Sequence, residues 1–177
     1  MIKLQKHIFL IGFMGVGKTS TSRELGKKLN VAEIDTDAMI VEKEQRSISE
    51  IFETSGEAYF RQEETGILDI LAQRQPCIVS CGGGMAMREE NVAKMKKCGT
   101  IVFLQATPET IYSHVKDSTQ RPLLNGNMNV PYIRQLMEKR EPKYQAAADI
   151  CMKTDGLTPE QVADRIVAGL EMTGEMR

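Results

Sequence analysis

Gly12-Phe13-Met14-Gly15-Val16-Gly17-Lys18-Thr19 has the residue types and spacing of a phosphate-binding loop. It matches G-x-x-x-x-G-K-[ST] and lies between an apolar run that reads as a strand and a stretch that reads as a helix. That context is what gives the pattern meaning. Glycines let the backbone curl until several N–H groups point inward at phosphate oxygens. The N-terminus of the following helix adds favourable potential for an anion. Lys18 supplies a compact positive charge for β- and γ-phosphates, and Thr19 a hydroxyl for Mg²⁺. The nucleotide-binding set is therefore Gly12, Gly15, Val16, Gly17, Lys18, Thr19 and Ser20. Such a loop argues for a bound nucleotide such as ATP or ADP, and not for any one reaction.

Asp35-Thr36-Asp37 closes the next short apolar run. On a continuing strand, two carboxylates one residue apart face the same side. At the carboxyl end of a parallel strand, that side is the ligand crevice. One carboxylate could serve a metal and the other a substrate hydroxyl. The plainer reading is a solvated turn or a helix N-cap, where Asp is common.

The elements that must position these groups alternate. Apolar runs at His7–Ile11, Ala32–Ile34, Cys77–Ser80, Thr100–Leu104 and Ile150–Lys153 read as five strands. Between them, Lys18–Leu29, Ser47–Ser55, Glu57–Gln73, Arg88–Lys97, a segment opening at Thr107-Pro108, Pro131–Ala148 and a last segment opening at Thr158-Pro159-Glu160-Gln161 read as helices. Phe60, Ile67 and Leu71 share a face at helical spacing, as do Val162, Ile166 and Leu170. Thr158 and Gln161 have capping-box spacing. Pro142 is expected to kink or interrupt its helix. Alternation of this kind implies one α/β domain over residues 1–177, with a parallel sheet covered by helices on both faces. Residues 117–130 are polar and carry Asn and Gly, the composition of a mobile surface loop.

The chain has 177 residues, 27% charged and with a formal net charge of -1, so it lacks the global basic footprint of a nucleic-acid binder. The run near the N-terminus is too short for a secretory segment or a membrane span, and a cytoplasmic protein is expected. Cys77, Cys81, Cys98 and Cys151 match no zinc framework. Cys77 and Cys81 bracket a strand, about 13 Å apart if extended, too far to grip one ion. All four are expected to be small buried hydrophobes in a reducing compartment.

Six motifs follow one another in order. They are Gly12–Thr19, Asp35-x-Asp37, Gly56-Glu57-x-x-Phe60-Arg61-x-x-Glu64, Gly82-Gly83-Gly84, Arg121-Pro122-Leu123-Leu124 and Arg140-x-Pro142-x-Tyr144. This series resembles the shikimate kinase family over nearly the whole chain. One departure is His114, where the family often has Arg. The resemblance implies a three-layer P-loop NTPase fold with five parallel strands in the order 2-3-1-4-5. It implies transfer of the γ-phosphoryl of ATP to shikimate, giving shikimate 3-phosphate and ADP. Arg61 and Arg140 would hold the substrate carboxylate, for which a guanidinium fork is suited. Asp37 would orient the attacking hydroxyl, and Gly82, Gly83 and Gly84 would bring the backbone close to the substrate. Thr19, Asp35 and Ser80 would form the metal side. Arg121, on a lid around 117–130, would neutralise charge on the transferred group. Lys18, Asp37 and Arg121 make the catalytic set, and Arg121 also belongs to the nucleotide set.

Plainer readings stand beside these. Arg61 could be a helical ion pair with Glu57 or Glu64, Arg140 and Arg121 solvated arginines, and the three glycines a flexible turn. The expected partners are ATP, ADP and shikimate, with no nucleic acid or membrane, and the chain is expected to act as a monomer. Two alternatives remain: another small-molecule P-loop kinase such as a gluconate kinase, and an inactive binding module on the same fold.

Overall fold

The structure, a computed structural model, describes residues 3–116, 129–174 and 176. Arg121 and residues 117–128 of the expected lid lie outside the described residues. Five strands, β1 (His7–Ile11), β2 (Glu33–Asp35), β3 (Ile78–Ser80), β4 (Gly99–Gln105) and β5 (Ile150–Lys153), form one sheet in the order β2-β3-β1-β4-β5. Every pairing is parallel. Among the described residues, no helix is long and apolar enough to cross a membrane.

Strand alternation sorts the core into two layers. Ile8 and Leu10 of β1, with Val102 and Leu104 of β4, face one way. There they meet Leu25 and Leu29 of α1 (Lys18–Leu29), Ile111 and Val115 of α6 (Pro108–Val115), and Val162, Ile166 and Leu170 of α8 (Pro159–Met172). Phe9, Ile11, Ile101 and Phe103 face the other way. Their partners are Phe60, Ile67, Leu68 and Leu71 of α4 (Glu57–Leu71), Met95 of α5 (Glu89–Cys98), and Tyr144 and Ala147 of α7 (Val130–Ala147). A strand covered on both faces reads as a continuous apolar run, as β1 does. The helices on both faces and the strand order agree with the expectation.

Two expectations need correction, and a third narrows. The chain does not continue as a strand through Asp37. It turns at Asp35, which caps α2 (Thr36–Glu44) by accepting a hydrogen bond from Ala38 N. Asp37 therefore lies in the first turn of a helix that was not foreseen. Pro142 does not interrupt α7, which runs from Val130 to Ala147. Ile133 is buried before the proline, and Tyr144 and Ala147 after it. Packing on both sides outweighs a penalty of about 3 kcal/mol. The cysteines are all free, but only Cys77 and Cys81 are buried. Cys98 is half-buried, and Cys151 is exposed on β5, the edge strand. The capping box at Thr158 and Gln161 is present in both directions.

Tight packing at the start of β4 gives a stability test. A Cβ on Gly99 would lie 2.6 Å from Phe9 Cδ2 and 2.7 Å from His7 O. Gly99→Ala is expected to destabilise the fold by about 1–3 kcal/mol, the usual result of overpacking. Chemical denaturation measures it, and an unchanged midpoint would show that the sheet has slack there.

Candidate active site

The loop between β1 and α1 is shaped for an anion. α1 opens on Gly17 without a side-chain cap, so its first amides are left to a ligand. Gly15 holds a φ of 80°, a conformation that suits glycine, and a Cβ there would run into Val115. Lys18 is buried, and its Nζ donates to Gly12 O at 2.6 Å and to Phe13 O at 3.1 Å. The ammonium is thus parked over the loop. The other end of the loop is tied to α6 by a 2.7 Å hydrogen bond between His114 Nδ1 and Gly15 O. The carbonyl can only accept, so Nδ1 carries the proton.

Two cavities meet at this loop. One, of about 340 Å³, is lined by Gly15, Val16, Gly17, Lys18, Thr19 and Ser20, with His114 and Pro159 on its walls. The other, of about 180 Å³, collects Asp35, Asp37, Arg61, Ser80, Gly82, Gly83, Gly84 and Arg140. Lys18 and Thr19 line both. Of the residues expected in the site, Gly12 lines neither and instead offers its carbonyl to Lys18. Arg121 lies outside the described residues.

Neighbouring strands bring the oxygen donors together. Asp35 of β2 is in register with Ser80 of β3. Thr19 Oγ1 donates to Asp35 Oδ2 at 3.3 Å. Two hydroxyls and a carboxylate are hard donors of the kind Mg²⁺ takes. Among the described residues, no group of three or more His, Cys, Asp or Glu is arranged to hold a metal alone. This donor set fits an ion that also relies on phosphate oxygens and water.

The second cavity is lined by charged side chains. Arg61 Nη1 donates to Glu64 Oε1 at 2.7 Å, and Arg61 Nη2 to Glu57 Oε1 at 3.1 Å. The helical ion pairs and the site placement of Arg61 therefore hold together. Glu64 Oε2 and Arg140 Nη1 are buried with no hydrogen-bond partner among the described residues. Buried polar atoms of this kind call for a ligand or water. The three glycines are held as well as bare. Gly82 N donates to Thr36 Oγ1 at 2.9 Å, and the Tyr144 hydroxyl donates to Gly83 O.

The sequence model of the family described as shikimate kinase matches residues 14–171. The shikimate kinase of Thermodesulfovibrio yellowstonii is 40% identical over 166 residues, covering 94% of this chain and 95% of that protein. The chain belongs to the shikimate kinase family. Solved structures agree. Shikimate kinase from Acinetobacter baumannii, in complex with shikimate, superposes with a TM-score of 0.90 at 30% identity, covering 95% of this chain and 94% of that one. Shikimate kinase from Aquifex aeolicus gives 0.82 at 37% identity, covering 95% and 98%. Family membership sets aside the gluconate kinase alternative.

Within this shikimate kinase family member, some of the site escaped the sequence reading. Glu64 stood in a motif but carried no role of its own. Thr36 sat unnoticed between two aspartates, although it is buried and holds Gly82. Ile48, Phe52 and Phe60 give the second cavity an apolar wall. Only a helix-pair geometry could have placed them there.

Glu64 yields a test. Burial pushes its carboxyl above the ordinary glutamate range; Arg61 opposes the shift without cancelling it, and Asp37 adds to it. The folded state therefore binds this proton more tightly than the unfolded chain. The resulting stability is present below the unfolded value and lost as pH rises through the raised folded value. Glu64→Gln cannot ionise, so it should gain stability relative to the parent across that rise. Denaturation curves for both proteins over a pH series measure it. Curves that stay parallel would mean that Glu64 is not shifted upward.

Proposed function

We infer that this crevice performs the reaction of its family, transferring the γ-phosphoryl group of ATP to the 3-hydroxyl of shikimate. The observation that carries this reading is the sharing of Lys18 and Thr19 by two cavities, one suited to a nucleotide and one to a small anionic polyol. ATP lies along the first cavity with its phosphates in the loop. Shikimate lies in the second, its carboxylate between Arg61 and Arg140. Arg140 Nη1 supplies a buried donor for that carboxylate. Asp37 orients the hydroxyl and accepts its proton. The hydroxyl oxygen bonds to the γ-phosphorus while the bond from that phosphorus to the β–γ bridging oxygen breaks. The products are shikimate 3-phosphate and ADP.

Lys18 leaves the carbonyls of Gly12 and Phe13 to follow the charge on the β- and γ-phosphates. Thr19, Asp35 and Ser80 would hold Mg²⁺, which, when bound, neutralises phosphate charge. Arg121 adds a cation for the transferred group. Positioning and charge stabilisation matter more than a strong base, because the transition state of phosphoryl transfer is loose in most analyses. The same reading makes residues 1–177 one catalytic domain, a monomer in the cytoplasm. A solution mass above that of one chain would correct the oligomeric part.

The first experiment is ADP release from MgATP with shikimate, which also tests the inactive-module alternative. Lys18→Ala should reduce turnover severely while circular dichroism stays unchanged. Normal turnover in that folded variant would refute the phosphate site. Arg121→Ala should lower kcat more than it weakens shikimate binding.

Removing either Arg61 or Arg140 should weaken shikimate binding by about 2–5 kcal/mol, the cost of stranding a buried charge. ATP binding should change far less. Calorimetry on Arg61→Ala and Arg140→Ala measures this. Unchanged shikimate affinity in both would place the carboxylate elsewhere.

A further inference from the structure

The wall of the substrate cavity that the core secures least is α3 (Ile48–Ser55). It has 8 residues, of which Ile51 is the buried one, and a helix that short does not hold itself in water. Yet Ile48 and Phe52, both on it, line the cavity. Phe52 meets the Phe60 ring of α4 at 5.0 Å between centroids. Ser47 caps its N-terminus by accepting from Glu50 N, and a further tie joins it to its neighbours.

Arg46, two residues before the helix, reaches along it. Its Nη1 donates to Thr54 Oγ1 at 2.6 Å and to Ser55 Oγ at 3.0 Å, both in the last turn of α3. Its Nη2 donates to Glu44 Oε2 at 2.7 Å, at the end of α2. The guanidinium also lies 5.7 Å from the centre of the Tyr59 ring on α4. Tyr59 closes the circuit by donating its hydroxyl to Glu44 Oε1 at 2.6 Å. The Tyr59 hydroxyl, and after it the Arg46 guanidinium, hold the Glu44 carboxyl below its ordinary range. One planar cation thus ties α2, α3 and α4 together. None of Glu44, Arg46 and Tyr59 lines the cavity.

We propose that Arg46 is a positioning residue for the acceptor substrate: it locks α3 against α4 and so holds Ile48 and Phe52 in place on the cavity wall. This rests on reading that cavity as the shikimate site. Without the lock, only a fraction of molecules would have the wall in place, and apparent affinity falls by that fraction. Saturating substrate restores the closed wall, so kcat survives. The nucleotide cavity, on the other side of β1, is not touched by the lock.

Steady-state kinetics with both substrates varied tests this, after the parent protein has been shown to turn over shikimate. Arg46→Ala should raise KM for shikimate about tenfold, with kcat and KM for ATP within about twofold. Arg46→Lys should recover only part, because an ammonium cannot bridge the same acceptors while lying on the Tyr59 ring. Glu44→Gln combined with Arg46→Ala should be no worse than Arg46→Ala, since both act through one network. If Arg46→Ala does not fold, Tyr59→Phe removes only the hydroxyl and should raise KM for shikimate alone. A folded Arg46→Ala with unchanged KM for shikimate, or a loss shared equally by both substrates, overturns the proposal. So does a Tyr59→Phe indistinguishable from the parent. A parent protein inactive on shikimate would instead remove the functional reading on which the proposal rests.

Discussion

Room at the carboxyl end of β3 is the constraint on which the site depends. A Cβ on Gly82 would stand 2.7 Å from Asp37 Oδ1 and 2.8 Å from Glu64 Oε2. On Gly83 it would stand 3.0 Å from Arg140 Nη1, and on Gly84 2.6 Å from Arg61 Cζ. Two carboxylates and two guanidiniums therefore converge only because three successive residues have no side chains. The conformational freedom of glycine matters less here than its lack of volume. Thr36 and Tyr144 hold this bare backbone from either side, so it is a fixed floor and not a loose turn.

Four charges at such close quarters must largely balance each other. Isolated burial of any one would cost several kcal/mol, which pairing and hydrogen bonding offset only when geometry is good. Arg61 and Glu64 meet this by lying three apart on one helix, so their pairing is built into α4 before any tertiary contact forms. Arg140 comes from α7 and Asp37 from α2, and the sheet edge brings them in. Glu64 is left with its carboxyl shifted upward because burial outweighs the pull of Arg61 and the weaker pull of Arg140. The arrangement is balanced but not saturated, since Arg140 Nη1 has no hydrogen-bond partner among the described residues.

Much of the fold was legible because its strands are short apolar runs between strong turn signals. β1, β5 and α1 have the very bounds read from the residues. α2 was missed for a physical reason. It buries only Thr36 and Ile40, too little to print a helical period on nine residues. Two aspartates read along a strand still reached the same cavity, but through a cap and a first helical turn. Arg61 shows the limit of spacing. An ion pair at i+3 looks the same in sequence whether it is exposed or fully buried, and only the tertiary neighbours of Glu64 decide between these. The wall residues Ile48 and Phe52 lay beyond reach for the same reason.

Strand order explains why the two cavities meet where they do. The chain places β3 and β2 on one side of β1, then crosses to place β4 and β5 on the other. Every strand runs the same way, so all five carboxyl ends open on one edge. The β2 and β3 side supplies Asp35, Ser80 and the three glycines, which line the second cavity. The β4 and β5 side supplies His114, Thr154 and Pro159, which wall the other cavity. The loop after β1 sits between them, and its Lys18 and Thr19 belong to both. On the proposed reading, phosphoryl transfer crosses the end of a single central strand. A sheet in simple sequential order would put β1 at an edge, with a neighbour on one side only, and the loop would then face a single cavity.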